Sequence, residues 1–337
     1  MKNLLILLLS SLTFSAIGQT KSDTVQKQAD SVADKQEITV HPKKRRNVIK
    51  NVLQVETFED NLVGYTWDSD DEPFLDFTLS EDFRLIPFDL LMQTLHTGKN
   101  LHLHFSFTCR LGQYINTRYS SPVVEKRFNP QLYLEYLPKG TLINSKIRFI
   151  YGHESNGQAI DDSSTFYAIA GTVKAPDVVR QTIDAISRGW DYLGCSFIKD
   201  RAMPTRKKTV LEGELDLRYY LDYGLLQGAK EEYRSWEQPW YGNNYTRNEV
   251  SGIKASISCF IPNSVFYKLS AYYETGITTP FENNSVKLLL GVKILQLPLA
   301  FVYTNGYNGD LAQYGKRNNS ISATVLLSSF AAPIIRQ

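Results

Sequence analysis

Strict alternation of apolar and polar residues, repeated along most of the chain, limits this sequence to a β architecture before any other feature is considered. In 101–111 the odd positions are Leu101, Leu103, Phe105, Phe107, Cys109 and Leu111, and the even ones are His102, His104, Ser106, Thr108 and Arg110. In 210–221, Leu211, Gly213, Leu215, Leu217, Tyr219 and Leu221 alternate with Glu212, Glu214, Asp216 and Arg218. The stretches 253–261, 265–273, 286–294 and 320–327 repeat the pattern. Period two over this length means strands with one apolar and one polar face. A soluble sandwich also alternates, but four charges in mid-strand at 212–218 suit the polar lumen of a barrel better. Short links (Pro138–Gly140, Pro262–Ser264, Gln296–Pro298) alternate with long ones (113–130, 156–189, 222–249, 305–318), as they do in a barrel with short turns at one rim and long loops at the other. Ten strands are readable from Asn100 onward, and a hairpin around Leu62–Phe83, turning at DSDDEP, brings the total to about twelve. The expected fold is therefore all-β: a closed antiparallel transmembrane β-barrel with the even strand count that closure favours.

The N-terminus supplies the route to a membrane. Lys2 and Asn3 precede the apolar run Leu4–Leu9, and the small residues Ser15, Ala16 and Gly18 come before Gln19. This describes a secretory signal peptide over 1–18, too short to span a bilayer. Residues 19–55 are rich in Lys, Asp, Gln and Ser, with HPKKRR near the end, and cannot bury enough apolar surface to fold; they read as a flexible charged tail before a barrel domain at 56–337. With 37 basic against 35 acidic residues the chain has no net field to draw nucleic acid. Cys109, Cys195 and Cys259 lack the paired spacing of a zinc site and read as small apolar residues of strand faces.

Chemistry concentrates at 143–157, which ends in GHESNG. His153 and Ser155 continue the face that Ile147, Phe149 and Tyr151 turn toward lipid, and side chains two apart on a strand stand side by side. An imidazole beside a hydroxyl can take its proton and make the serine a nucleophile. The G-x-S-x-G elbow of soluble esterases is absent. In 190–198, Asp191 shares the apolar face with Leu193, Cys195 and Phe197. A carboxylate facing hydrocarbon needs a partner, and if this strand pairs with 143–155, Asp191 can orient His153 as the acid of a triad does. The bland alternative is that each of the three is an ordinary polar residue near a barrel rim.

The GHESNG segment resembles the histidine-x-serine-asparagine-glycine signature of the outer membrane phospholipase A family. SRGWD at 187–191 is similar to its second signature, SSPVVEKRFNPQL at 120–132 to a third, and VYTNGYNGDLAQYG followed by NNSISATVLL to its last hairpin. The resemblance runs from about Leu101 to Leu327. It implies a calcium-dependent phospholipase in the outer membrane of a Gram-negative bacterium, with A1 and also A2 and lysophospholipase activity, a homodimer when active, and the site toward the cell surface. By position it implies Ser155 as nucleophile, His153 as base and the Gly157 region as oxyanion donor. It also implies calcium (Ca2+) held between subunits by Ser120 of one and by the Gln158 carbonyl and Ser187 hydroxyl of the other. Hard oxygen ligands suit that ion. Two departures stand out: the family has asparagine where this chain has Asp191, and 159–186 is a longer loop than the family places there. The chain also continues past Phe330 as AAPIIRQ. The competing expectation is a non-enzymatic barrel, a small pore or a structural relative; a soluble secreted esterase is a weaker third.

Overall fold

In the computed structural model the described residues are 53–68, 73–94, 100–115, 123–138, 145–172, 181–202, 209–229, 245–295 and 297–327. The expected signal peptide, the tail up to residue 52, Ser120 and the terminal AAPIIRQ lie outside them. The strands are β1 (Leu53–Thr57), β2 (Leu62–Asp68), β3 (Phe74–Leu85), β4 (Leu101–Gln113), β5 (Val123–Tyr136), β6 (Ser145–Ser155), β7 (Gly189–Ala202) and β8 (Val210–Tyr220). A small pair, β9 (Tyr223–Gly224) and β10 (Gly228–Ala229), precedes β11 (Gly252–Phe260), β12 (Phe266–Gly276), β13 (Ser285–Ile294), β14 (Leu297–Gly306) and β15 (Asn318–Leu326). The helices are α1 (Ile86–Thr94), α2 (Ser163–Thr172) and the single turn α3 (Arg247–Val250).

Each wall strand pairs antiparallel with the next, and β15 returns to β2 with Leu326 opposite Leu62, so the expected meander closes as a barrel of twelve strands, β2 to β8 and β11 to β15. β1 continues the line of β2 along β3. Four residues, 58–61, bulge out where the partner strand spends only Leu79 and Ser80, because Thr57 faces Glu81 while Leu62 faces Thr78. Asn61 satisfies the broken ladder by accepting from Ser80 N–H at 2.5 Å, and the bulge delivers Asp60 to Lys268 Nζ at 2.5 Å. The barrel thus begins at Leu53, inside what the sequence reads as the end of the tail.

Burial is inverted relative to a soluble protein. His104, Ser106, Gln131, Glu135, Asp216 and Arg218 are buried, whereas Phe105, Leu132, Phe149, Leu193, Leu217 and Phe301 are exposed. The polar faces line a lumen packed with paired charges: Arg148 with Glu135 at 3.0 Å, Arg218 with Asp216 at 2.7 Å, and His104 with Asp82 at 2.9 Å. Buried charge is tolerable only when paired in this way, and an apolar outer band is tolerable only in lipid. No helix among the described residues is long and apolar enough to cross a membrane; the strands make the crossing. Of the aromatics, Tyr65, Trp67, Tyr219 and Tyr303 stand on the exposed wall, as interfacial girdle residues do.

The connections sort by rim as expected. The turn at 261–265 closes one end, where α1 also packs, with Asp89 taking Arg84 and His102 at 2.8 and 2.9 Å. The longer connections that follow β6, β8 and β14 leave from the other. The first of these is not a bare loop: it carries α2, whose entry is capped by Asp162, which accepts from Thr165 N–H at 2.8 Å and from the Ser164 hydroxyl. Those bonds hold the Asp162 carboxyl down at about 2.

Candidate active site on the outer wall

β6 ends at the long-loop rim on Gly152, His153, Glu154 and Ser155, and β7 begins there with Gly189, Trp190 and Asp191. The register places His153 opposite Asp191 and Ser155 opposite Gly189. Alternation then decides the faces. Glu154 and Trp190 turn inward and are buried; His153, Ser155 and Asp191 turn outward with Phe149, Tyr151 and Leu193. The three residues singled out in the sequence are thus brought to one face of two paired strands.

His153 Nδ1 lies 2.6 Å from Asp191 Oδ1. The carboxylate only accepts, so Nδ1 carries the proton and Nε2 is left as the basic nitrogen. Gly189 leaves a gap beside the pair: a Cβ built there would meet His153 Cε1 and Ser155 Cβ at 3.4 Å each and His153 Nε2 at 3.6 Å. Base and hydroxyl-bearing carbon therefore border one small space. No hydrogen bond joins Ser155 to His153 among the described residues, and such contacts commonly tighten only around substrate.

Hydrogen bonds and close packing frame the site from behind. Asn156 clamps the end of β6 to the approach of β7: its Nδ2 donates to Ile186 O at 2.8 Å, its Oδ1 accepts from Arg188 N–H at 2.7 Å, and its own N–H donates to Arg188 O at 3.1 Å. Gly157, next along, has φ of 55°, the left-handed turn that takes the chain off the wall. Gly152 leaves room for the buried Tyr192 ring, which any Cβ there would strike; Tyr192 OH in turn donates to Asn129 at 2.8 Å. Pro130, without an N–H, sits where the β5–β6 pairing is interrupted between Phe128 and Gln131. Inside the barrel Glu154 accepts from Arg247 Nη2 at 2.6 Å, with Arg127 at 3.6 Å, and Arg247 lies over the rings of Tyr220, Trp190 and Tyr314 at 4.8, 5.6 and 5.7 Å. An ion pair thus anchors the residue between His153 and Ser155.

Of the residues implied as calcium ligands, Gln158 and Ser187 lie on facing segments. Ile160 N–H donates to Ala185 O at 2.9 Å and Ser187 N–H to Ile160 O at 2.6 Å, next to the Asn156–Arg188 bonds. Both side chains are half-buried beside the pair. A carbonyl and a hydroxyl here are the hard oxygen donors that calcium takes. Among the described residues there is no group of three or more His, Cys, Asp or Glu side chains able to hold a metal; the donor set in question is of a different kind.

Sequence reasoning undervalued Tyr151, which it treated only as a lipid-facing residue, and missed the β9–β10 hairpin. Tyr151 OH donates to Asp191 Oδ2 at 2.6 Å and Leu226 N–H donates to the same oxygen at 2.8 Å. The position of Tyr151, two residues before His153 on the same face, is the signal that places it there.

Fold and site together define a membrane-type antiparallel barrel with a hydrogen-bonded imidazole–carboxylate pair and a serine on its outer wall. No protein-family model matches the chain, and no curated protein matches it in sequence. In structure it is similar to outer membrane phospholipase A from Escherichia coli, with TM-score 0.54 and 18% identity over 81% of this chain and 98% of that one. It is also similar to the Salmonella typhi outer membrane phospholipase solved as a dimer with bound calcium, with TM-score 0.54 and 17% identity over 81% of this chain and 92% of that one. At such identity the likeness establishes the shared fold, the one that the sequence resemblance implies.

Proposed function

We propose that the chain is an outer-membrane phospholipase that hydrolyses acyl esters of glycerophospholipids at Ser155. The observation carrying this reading is the His153–Asp191 bond of 2.6 Å on the lipid-facing wall, two residues along the strand from Ser155. His153 Nε2 takes the proton of Ser155 Oγ as that oxygen attacks the ester carbonyl. The imidazolium, stabilised by Asp191, then protonates the departing glycerol oxygen, and the lysophospholipid leaves. A water molecule, deprotonated by the same nitrogen, hydrolyses the acyl-serine to a fatty acid and free enzyme. Gly157, at the left-handed turn after the nucleophile, supplies a backbone donor for the oxyanion.

Lipid reaches an outward-facing site from the membrane without crossing water, which suits this chemistry and no soluble substrate. The long-loop rim faces the cell surface in this reading. Gln158 and Ser187 would hold calcium, completed by Ser120 of a second copy; the ion, when bound, polarises the ester carbonyl. A requirement for pairing of two copies keeps the activity off in the resting membrane. The packed lumen, with charges paired across strands, speaks against the alternative of a pore.

The test is hydrolysis of phosphatidylcholine in mixed detergent micelles by the wild type and by Ser155→Ala. Loss of release of fatty acid to the uncatalysed level is expected; equal release by both would overturn the reading.

A further inference from the structure

Asp191 poses a physical problem that its catalytic partner does not solve. It shares the outer face of β7 with Leu193, which is 54% exposed, yet Asp191 itself is 0% exposed. A carboxylate on a lipid-facing wall is costly unless every lone pair is engaged. The cover is the hairpin of β9 and β10, where Gly224 pairs with Gly228. The approach is so close that a Cβ on Gly224 would collide with the Asp191 carboxyl.

Beneath this cover each oxygen has a separate duty. Oδ1 accepts from His153. Oδ2 accepts from Tyr151 OH at 2.6 Å and from Leu226 N–H at 2.8 Å, while the phenolic oxygen of Tyr151 accepts in turn from Leu225 N–H at 3.2 Å. Gln227 ties the hairpin to the backbone of the same residue. Its Oε1 accepts from Asp191 N–H at 2.5 Å, and its Nε2 donates to Leu221 O and Asp222 O at 2.8 and 2.9 Å. On the opposite side the hairpin shows lipid an apolar tip, with Leu225 87% and Leu226 65% exposed. It therefore continues the apolar wall while enclosing a carboxylate set into it.

We propose that this hairpin is a strap that fixes the Asp191 carboxylate for His153, and that Tyr151 and Gln227 are positioning residues acting through Asp191. The proposal rests on the hydrolase reading for its kinetic consequence but not for its geometry. With Oδ2 held by two donors the carboxyl group cannot turn, so Oδ1 stays on the imidazole and the basic nitrogen stays directed at Ser155.

The experiment uses the full chain in mixed micelles of phosphatidylcholine and detergent, with Tyr151→Phe, Asp191→Ala, their double variant and Gly224→Val. Tyr151→Phe should lower kcat roughly tenfold, the scale of one hydrogen bond to a charged group, with KM within about twofold. In the Asp191→Ala background the same change should cost less than about twofold, because its only route to the reaction is gone. Equal losses in the two backgrounds, or a loss confined to KM, would overturn the positioning role. A second readout is independent of turnover: the low-field proton resonance of His153 Nδ1–H, present in the wild type, should broaden or vanish in Gly224→Val while the barrel keeps its heat-modifiable gel mobility. An unchanged resonance in that variant would refute the strap. Retention of hydrolysis by Ser155→Ala would instead sink the hydrolase reading and leave the resonance test to decide the strap.

Discussion

Replacing Arg247 by methionine should unsettle the barrel more than any single change on its outer wall. Arg247 and Glu154 are both almost fully buried, their side chains 1% and 2% exposed, and joined at 2.6 Å. Methionine removes the charge and leaves Glu154 with the more distant Arg127, at 3.6 Å. Breaking a buried pair from one side costs about 3–5 kcal/mol, chiefly because the remaining charge is stranded. The lost contacts over the Tyr220, Trp190 and Tyr314 rings add roughly 0.5–2 kcal/mol. Replacing Glu154 by glutamine in the same chain removes the stranded charge, so the double variant should recover more than half of the loss. The assay is urea unfolding in detergent micelles followed by tryptophan fluorescence, with gel mobility as the second probe of the closed barrel. A loss below about 1 kcal/mol in Arg247→Met, or a double variant no more stable than the single one, would refute the claim that this ion pair anchors the end of β6.

Asp191→Ala should lower kcat by roughly 10- to 150-fold, the rate equivalent of one charge-assisted hydrogen bond, whereas Asp191→Asn, which can still accept from His153, should lose less; initial rates on a soluble thioester lipid analogue give both values. Removal of calcium by a chelator should abolish turnover, and Ser187→Ala should raise the calcium concentration giving half-maximal rate, both read in the same assay. In the 307–317 connection, burial and the neighbouring Asp184 push the Asp310 carboxyl up from its ordinary value of 3.8 to about 6. The folded form therefore binds more protons than the unfolded one, and the stability of this loop is present below pH 3.8 and lost as the pH rises through about 6. Amide exchange in 309–316, corrected for its intrinsic pH dependence, should accelerate over that interval in the wild type and not in Asp310→Asn.

Most of the barrel was legible in the sequence because a wall strand in lipid has only two environments, and the chain alternates between them residue by residue. Charges at 212–218 could sit nowhere but the lumen, and Asp216 and Arg218 do pair there. The same logic put His153, Ser155 and Asp191 on one face, since parity along each strand fixes orientation without any knowledge of the neighbour. What parity cannot supply is register: that His153 faces Asp191 depends on the turn between two strands separated by a long insertion. Nor could it supply the β9–β10 hairpin, whose Tyr223, Leu225 and Leu226 read as a loop fragment in isolation and acquire meaning only where the chain folds back onto Asp191. The α2 helix was hidden similarly, within a stretch whose apolar STFYAIAGTV has no period-two pattern; its Asp162 cap is a local signal that was there to be read.

The account stands or falls on the reactivity of one hydroxyl. A fluorophosphonate probe added to the purified barrel in micelles, followed by peptide mass spectrometry, should place the label on Ser155 and lose it in His153→Ala, with the other serines unmodified. Labelling that ignores Ser155, or that persists undiminished without His153, would contradict an activated serine on the outer wall.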